Sequence, residues 1–375
     1  LAQRDVKRVL AYSTVENAGI TTLALGLALL GTGLGSSTLA GLAWTAALLH
    51  LWNHALAKAP LFLGFGAVAQ AARSRRLDAL GGLLQRWPVV GGALVLLAAA
   101  IAALPGLNVF TSEWLLLRAS FAGAVVLRGA NAVAVLGAIA AIVLAGAIAV
   151  ACFTRLVGIA LLGTPRTPEA AAAPSPGWAM RAPIALFAAA CVAVAAVPGR
   201  VASALAAAVK VVAPSADVAP AIDALRPIAV VLPLIMGAVA LGLALRGLAA
   251  RRAPRCSGPT WGCGYPAPTP VMQYSSTSFG EPVTRLLHPL LGTRTHERLA
   301  PSGLPGEPRP VAVAWSSETA DRVLAGVYEP LFRGMARLAA RVRAYHQTRV
   351  SAWLLYIVVA VLVLLALLFL PVRWV

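Results

Sequence analysis

The sequence predicts an all-α polytopic membrane protein. Apolar residues make up 59% of the 375 positions and charged residues 12%, against about a quarter charged in a soluble domain. Mean hydropathy is +0.81. The apolar residues also gather into runs of the roughly 20 residues that a helix needs to cross a bilayer. A disordered chain is excluded, because it would be poor in apolar residues. The chain opens on a polar turn, LAQRDVKR, without Met, and is read as starting inside a longer protein. The apolar stretch from Val9 is too long for a signal peptide and lacks a cleavage site.

Eight apolar runs read as about eight transmembrane helices: 9–34, 38–70, 86–104, 107–129, 131–163, 183–200, 224–246 and 351–371. The second and fifth are long enough to tilt or to pass the membrane surface. The sixth is short and ends near Pro198. Connections among the first five are brief, so these should pack antiparallel as one bundle, residues 1–163, followed by accessory helices over 164–246. From residue 247 the composition turns to Arg, Pro, Gly and Ser, and 250–315 reads as an extended polar loop. Over 318–346, Leu324, Val327, Leu331, Met335, Leu338, Val342 and Tyr345 recur at helical spacing. Arg322, Arg333, Arg337 and Arg341 lie off that stripe. The spacing predicts a basic amphipathic helix lying along a membrane surface or a partner, with a kink at Pro330. The segment 351–375 is a C-terminal anchor.

The net charge of +18 comes almost wholly from Arg, since Lys7, Lys58 and Lys210 are the only lysines among 31 basic residues. Most of the Arg residues sit between apolar runs, which is juxtamembrane anchoring and not a nucleic-acid surface. A Lys inside an apolar run is different, because Lys can lose its proton when desolvated and Arg cannot. Cys152 and Cys191 lie in apolar runs as packing residues. Cys256 and Cys263 form a C-x6-C pair whose spacing fits neither a zinc ribbon nor an iron–sulfur run. Free thiols, a disulfide and a metal site remain alternatives there. No nucleotide loop, catalytic triad or metal-ligand motif is present, so no catalytic, cofactor or metal residue is assigned.

Charges at membrane depth are costly and mark functional candidates. Glu16 and Glu113 are the acidic residues inside spanning runs. Glu113 follows a break at Pro105, Gly106 and Asn108, and broken membrane helices occur where they line protein or a water-filled cavity. It reads as a proton-binding carboxylate, the alternative being a structural pair with Arg118. His50, His54 and Lys58 recur every four residues, stacked about 6 Å apart on one helix face. Two groups that titrate near neutrality, followed by a desolvated ammonium, suit a proton relay. Asp5 and Lys7 open the first run, where Lys7 reads as an inward-snorkelling or interfacial lysine. Glu16 needs a partner, and Lys58 or His54 is the natural one. Arg155, late in the fifth run, is a further accessory candidate or an interfacial anchor.

These motifs resemble a known family. DVKRVLAYSTVENAG, HLWNHALAKAPLFL and LPGLNVFTSEW are similar, in order, to segments of the Mrp antiporter-like subunits. Those occur in respiratory complex I, in Mrp sodium/proton antiporters and in group 4 NiFe hydrogenases. Glu16–Asn17, Ser112–Glu113–Trp114 and TWGCGYPAPTPVMQYSSTSFGEP (260–282) resemble the branch of hydrogenase-4 component B and formate hydrogenlyase subunit 3. The resemblance covers residues 1–200 well and 247–371 mainly by layout. It implies an inverted-repeat fold of two five-helix bundles, of which residues 1–163 match the second. By that match Lys7 bridges the bundles, His50, His54 and Lys58 form the central relay, and Glu113 lies at the exit half-channel. The first bundle's Glu–Lys pair would lie upstream, so the chain by itself is not expected to pump. The same resemblance implies a subunit of an oxidoreductase complex in a bacterial inner (plasma) membrane, with residues 247–350 on the cytoplasmic face. It implies no redox centre in this chain, with a NiFe centre and iron–sulfur clusters in partner subunits. The implied partners are other membrane subunits, a peripheral redox arm and the lipid bilayer. Complex I or Mrp-type subunits, including a sodium carrier, are the alternatives, and a non-conducting membrane anchor is the alternative of another class.

Overall fold

A computed structural model describes residues 1–252, 267, 269–270, 272–300, 311–319, 321–346 and 350–369. Cys256, Cys263 and the Trp261–Tyr265 part of the motif lie outside the described residues. The chain divides into two compact units, Leu1–Thr284 and Arg285–Val375.

The first unit is a helical bundle. Helix α1 (Val6–Gly33) is capped by Asp5, whose carboxylate accepts from the Lys7 and Arg8 amides at 2.8 and 3.1 Å. The same carboxylate pairs with Arg75 at 3.2 Å, so the cap also ties α1 to the loop after the next helix. That helix, α2 (Ser37–Ala71), is the longest among the described residues, and its 35 residues span about 52 Å. Its first turn is capped by Ser36. It sits at the centre, touching α1 and five of the helices that follow. Near its start Gly41 lies under the Asp217 carbonyl, and a Cβ there would meet that oxygen at 1.7 Å. Five helices among the described residues are long and apolar enough to cross a membrane. α2 is not one of them, because His50, Asn53, His54 and Lys58 fill its middle. Its burial inside the bundle is what accommodates those groups.

After the short α3 (Leu83–Arg86) come α4 (Pro88–Ile101), α5 (Asn108–Val126) and α6 (Ala130–Ala160). The sequence reading counts the runs 86–104 and 107–129 as separate spans, and the structure sets them end to end. The packing of the core shows this. At one end of the bundle Val9, Phe65, Leu94, Leu97 and Leu156 cluster. At the other, Leu27, Leu42, Leu115, Val135 and Ile142 do. Thus α1, α2 and α6 run through both clusters, whereas α4 contributes to the first and α5 mainly to the second. Fourteen residues make about 21 Å, too short for a 30 Å hydrocarbon core. α4 and α5 are therefore the two halves of one interrupted crossing.

The interruption spans residues 102–107. Ala103 takes φ +52 and Gly106 φ +106, conformations that L side chains rarely adopt. A Cβ at Gly106 would lie 2.8 Å from Met236 Sδ, on a later helix. Gly106→Val is expected to destabilise the bundle by about 1–3 kcal/mol, seen as a lower thermal midpoint in detergent. An unchanged midpoint would mean that the break tolerates a β-branched residue.

The unit continues through α7 (Pro168–Ala172), α8 (Trp178–Ala196), α9 (Pro198–Val212) and α10 (Ala219–Arg252), and α11 (Ser276–Leu286) begins at its end. Pro198 ends α8 and opens α9. α9 buries Ala202 and Val209, the latter against Ala40 at the start of α2.

In the second unit, α12 (His288–Leu291) leads into two antiparallel strands, β1 (Thr293–Ala300) and β2 (Val311–Thr319). The expected polar loop therefore contains a hairpin. Its register pairs Thr293 with Thr319, with a bulge between Arg298 and Leu299. Two threonine hydroxyls at 3.0 Å close its open end. The β1 sequence TRTHERLA has no apolar alternation, so the pattern does not reveal it. The amphipathic helix is present, as a π-helical turn, Leu324–Tyr328, followed by α13 (Glu329–His346). Pro330 lies inside a continuous helical stretch, just after the π-helical turn, whose wider winding accommodates the missing N–H. α14 (Val350–Phe369) ends the described chain.

A buried polar junction between helices α2 and α5

The candidate site forms where α2 passes the interruption between α4 and α5. His50 and Asn53 are buried at 1% and 0% exposure, as are Asn108, Thr111 and Ser112 at 0%. Two asparagines exchange amide bonds across the gap. Asn53 Nδ2 donates to the Asn108 carbonyl at 2.8 Å, and Asn108 Nδ2 donates to the Asn53 carbonyl at 3.1 Å. Asn53 also reaches the Thr111 and Ser112 hydroxyls, each at 3.3 Å. Each asparagine side chain thereby adds a donor to a buried backbone carbonyl of the opposing helix.

His50 Nδ1 lies 3.1 Å from Ser112 Oγ. The Ser112 hydroxyl donates its one hydrogen to the Val109 carbonyl at 2.8 Å. His50 Nδ1 must then be the donor to Ser112, and a neutral His50 keeps its lone pair on Nε2. That nitrogen is buried and makes no protein hydrogen bond. The junction thus fixes the ring and its tautomer while leaving one nitrogen able to take a proton.

Beyond the junction the polar face of α2 continues through His54 to Lys58. Lys58 is 5% exposed, and its Nζ stands 5.8 Å from the Phe62 ring and 5.7 Å from the Phe153 ring. His54 Nε2 and Lys58 Nζ, like His50 Nε2, have no protein hydrogen-bond partner. Pro60 lacks an N–H, which frees the Leu56 carbonyl on this stretch of α2. Facing from α1, Asn17 Nδ2 donates to the Ser13 carbonyl at 2.8 Å, while Asn17 Oδ1 and Ser13 Oγ stay unpartnered.

The charged groups form a series. His50 interacts electrostatically with His54, His54 with Lys58, Lys58 with Glu16, and Glu16 with Glu113. Glu16, read from sequence as an accessory residue, stands between the lysine and the terminal carboxylate. Arg118 is exposed and set apart from Glu113: five residues on, it lines a groove of about 520 Å³ with Trp114, Asp223 and Pro227. Trp114 Nε1 donates to the Ala224 carbonyl at 3.2 Å.

Other candidates lie elsewhere. Lys7 is exposed at the start of α1, nine residues or about 14 Å along the helix from Glu16. Asp5 serves as the helix cap. Arg155 is 1% exposed and held by the backbone carbonyls of Ser276 and Gln3. Among the described residues no group of three or more His, Cys, Asp or Glu could hold a metal. The role of Asn53 was missed in the sequence. An Asn in an apolar run opposite a second Asn at a helix break is a signal that could have found it.

Residues 1–142 match the family described as NADH:quinone oxidoreductase/Mrp antiporter, TM. The chain is 34% identical to an uncharacterized protein of Mycobacterium tuberculosis (strain ATCC 25618 / H37Rv), over 96% of this chain and 58% of that one. It is 33% identical to formate hydrogenlyase subunit 3 of Escherichia coli (strain K12), over 78% of this chain and 48% of that one. It is 37% identical to hydrogenase-4 component B of the same organism, over 52% of this chain and 29% of that one. The chain spans less than two thirds of the length of each.

Proposed function

Because residues 1–142 belong to the NADH:quinone oxidoreductase/Mrp antiporter transmembrane family, we propose that this chain is a proton-conducting membrane subunit of a respiratory redox complex. The observation that carries the proposal is the series of buried His50 and Lys58 and half-buried His54, Glu16 and Glu113, whose imidazole and ammonium ends are left without protein partners. Such groups can pass a proton along α2 and across to α1 and α5. The fixed tautomer at His50 keeps Nε2 as the acceptor. Lys58 stores a proton, and Glu113, beside the interrupted crossing, exchanges it with water. Lys7, on the exposed start of α1, faces outward to link with a neighbouring bundle. Electron transfer in a partner would act on this series through charge coupling.

Protons are favoured over sodium. Sodium prefers oxygen ligands, whereas the α2 face of the path presents the nitrogens of His50, His54 and Lys58.

The test is Glu113→Gln in the full-length protein within its complex, reconstituted in vesicles. Proton movement is expected to fall about a hundredfold with assembly intact. Undiminished proton movement would sink the conduction reading and leave a membrane anchor. The finer assignment is a group 4 hydrogenase of the formate hydrogenlyase type, supported by the identities of 33% and 37% to the two Escherichia coli subunits. Its NiFe centre and iron–sulfur clusters would sit in partner subunits forming a peripheral arm, in a bacterial inner membrane. Purification through a tag, with nickel and iron quantified, tests it. Nickel with hydrogen-dependent dye reduction supports the assignment. Iron alone points to a complex I-like assembly, and no metal to an Mrp-type antiporter.

A further inference from the structure

The segment Met272–Thr284 is strapped onto one end of the bundle. Gln273 Nε2 donates to the Thr164 hydroxyl at 2.7 Å and its Oε1 accepts from the Thr164 amide at 3.0 Å. Arg166 donates to the Tyr274 carbonyl at 3.0 Å. The Ser276 amide and hydroxyl both donate to the Asp78 carboxylate, at 2.6 and 2.7 Å.

Beneath the strap lies Arg155. It donates to the Ser276 carbonyl at 3.1 Å and to the Gln3 carbonyl. Gly280 packs on its stem, and a Cβ there would stand 3.5 Å from Arg155 Cδ. Arg155 Nε is buried and makes no protein hydrogen bond. Two residues back on α6, Phe153 packs on Lys58 Nζ. A single turn of α6 therefore has the buried lysine on one side and the strapped guanidinium on the other.

We infer that Arg155, held in place by the Ser276–Asp78 strap, is a charge barrier that closes the route between Lys58 and this end of the bundle. A guanidinium stays protonated at any working pH, so it cannot itself relay. A fixed positive charge in a narrow passage repels protons and metal cations. A membrane helix is a costly place for such a charge, and a purely structural clamp there could be apolar. The strap explains how the charge is held: the carbonyls of Ser276 and Gln3 fix the guanidinium, and Asp78 holds Ser276. The barrier forces protons to leave Lys58 through Glu16 and Glu113 instead of leaking back along α6.

The inference rests on the reading that Lys58 carries protons, and the experiment separates the two. The complete complex, reconstituted in vesicles with a pH-sensitive dye inside, is subjected to a potassium diffusion potential, and passive proton entry is followed. Arg155→Gln is expected to raise the leak about tenfold. Arg155→Lys, which keeps a charge that can lose its proton when desolvated, should leak less than Arg155→Gln. The double variant Arg155→Gln/Lys58→Met should return to the wild-type leak, because the opened route passes through Lys58. A merely structural arginine would give a leak indifferent to Lys58, and that result, or a tight Arg155→Gln vesicle, overturns the inference. If Arg155→Gln does not assemble, Asp78→Ala takes its place: it keeps the guanidinium but releases the strap, and is expected to leak in the same Lys58-dependent way. A tight Asp78→Ala vesicle would then overturn it. Failure of Lys58→Met by itself to lower driven proton movement would instead count against the conduction reading.

Discussion

Lys58→Met in the full-length protein is expected to lower driven proton movement about a hundredfold or more, with helix content and assembly unchanged. The side chain is close in shape, so the thioether can lie by the rings of Phe62 and Phe153 where the ammonium does in the wild type. The variant therefore isolates the charge. The effect should be large because Lys58 interacts with both His54 and Glu16 and joins the α2 face to the carboxylates. Lys58→Arg should not rescue it, since Arg holds its proton. Flow in a potential-driven vesicle assay is the measurement. Wild-type flow in Lys58→Met would remove the lysine from the path.

The second large effect is expected at the asparagine pair. Asn53→Leu removes the Nδ2 that donates to the Asn108 carbonyl and to the Thr111 and Ser112 hydroxyls, and the Oδ1 that accepts from Asn108 Nδ2 at 3.3 Å, while the residue-53 carbonyl still accepts from Asn108. Stranding a buried polar group costs about 1–3 kcal/mol, and Asn53 serves several groups at once. A clear drop in thermal midpoint is expected, together with loss of proton movement as Ser112 and His50 lose register. The double variant Asn53→Leu/Asn108→Leu should cost less than the sum of the single changes, because the bond from Asn108 Nδ2 to Asn53 Oδ1 is lost in either single change and counts only once in the double. Additive losses would show that the two side chains act independently.

Much of this could be read in the sequence. Apolar runs and a low charged fraction fixed the class, since a helix satisfies its own backbone in lipid. The spacing of His50, His54 and Lys58 placed them on one face of α2, because helical periodicity is local. Glu113 stood out as a carboxylate beside a Pro–Gly–Asn break. Other features depended on contacts between distant residues. Glu16 gained its place between Lys58 and Glu113 only when α1 packed against α2 and α5. Asn53 gained a role only because the interruption at 102–107 lies against it, more than fifty residues along the chain.

By itself the sequence determined the elements that periodicity and apolar length specify: the membrane-spanning helices, the break before Asn108, the titratable face of α2 and the amphipathic helix ending near residue 346. Tertiary structure decided the rest. It joined α4 and α5 into one interrupted crossing, because core packing pairs each half with a different end of α2 and α6. It buried Arg155 under the Gln273–Ser276 strap, because hydrogen bonds to Asp78 and Thr164 are made across more than a hundred residues. Hydropathy measures how each residue partitions on its own, and such partnerships leave no trace in it.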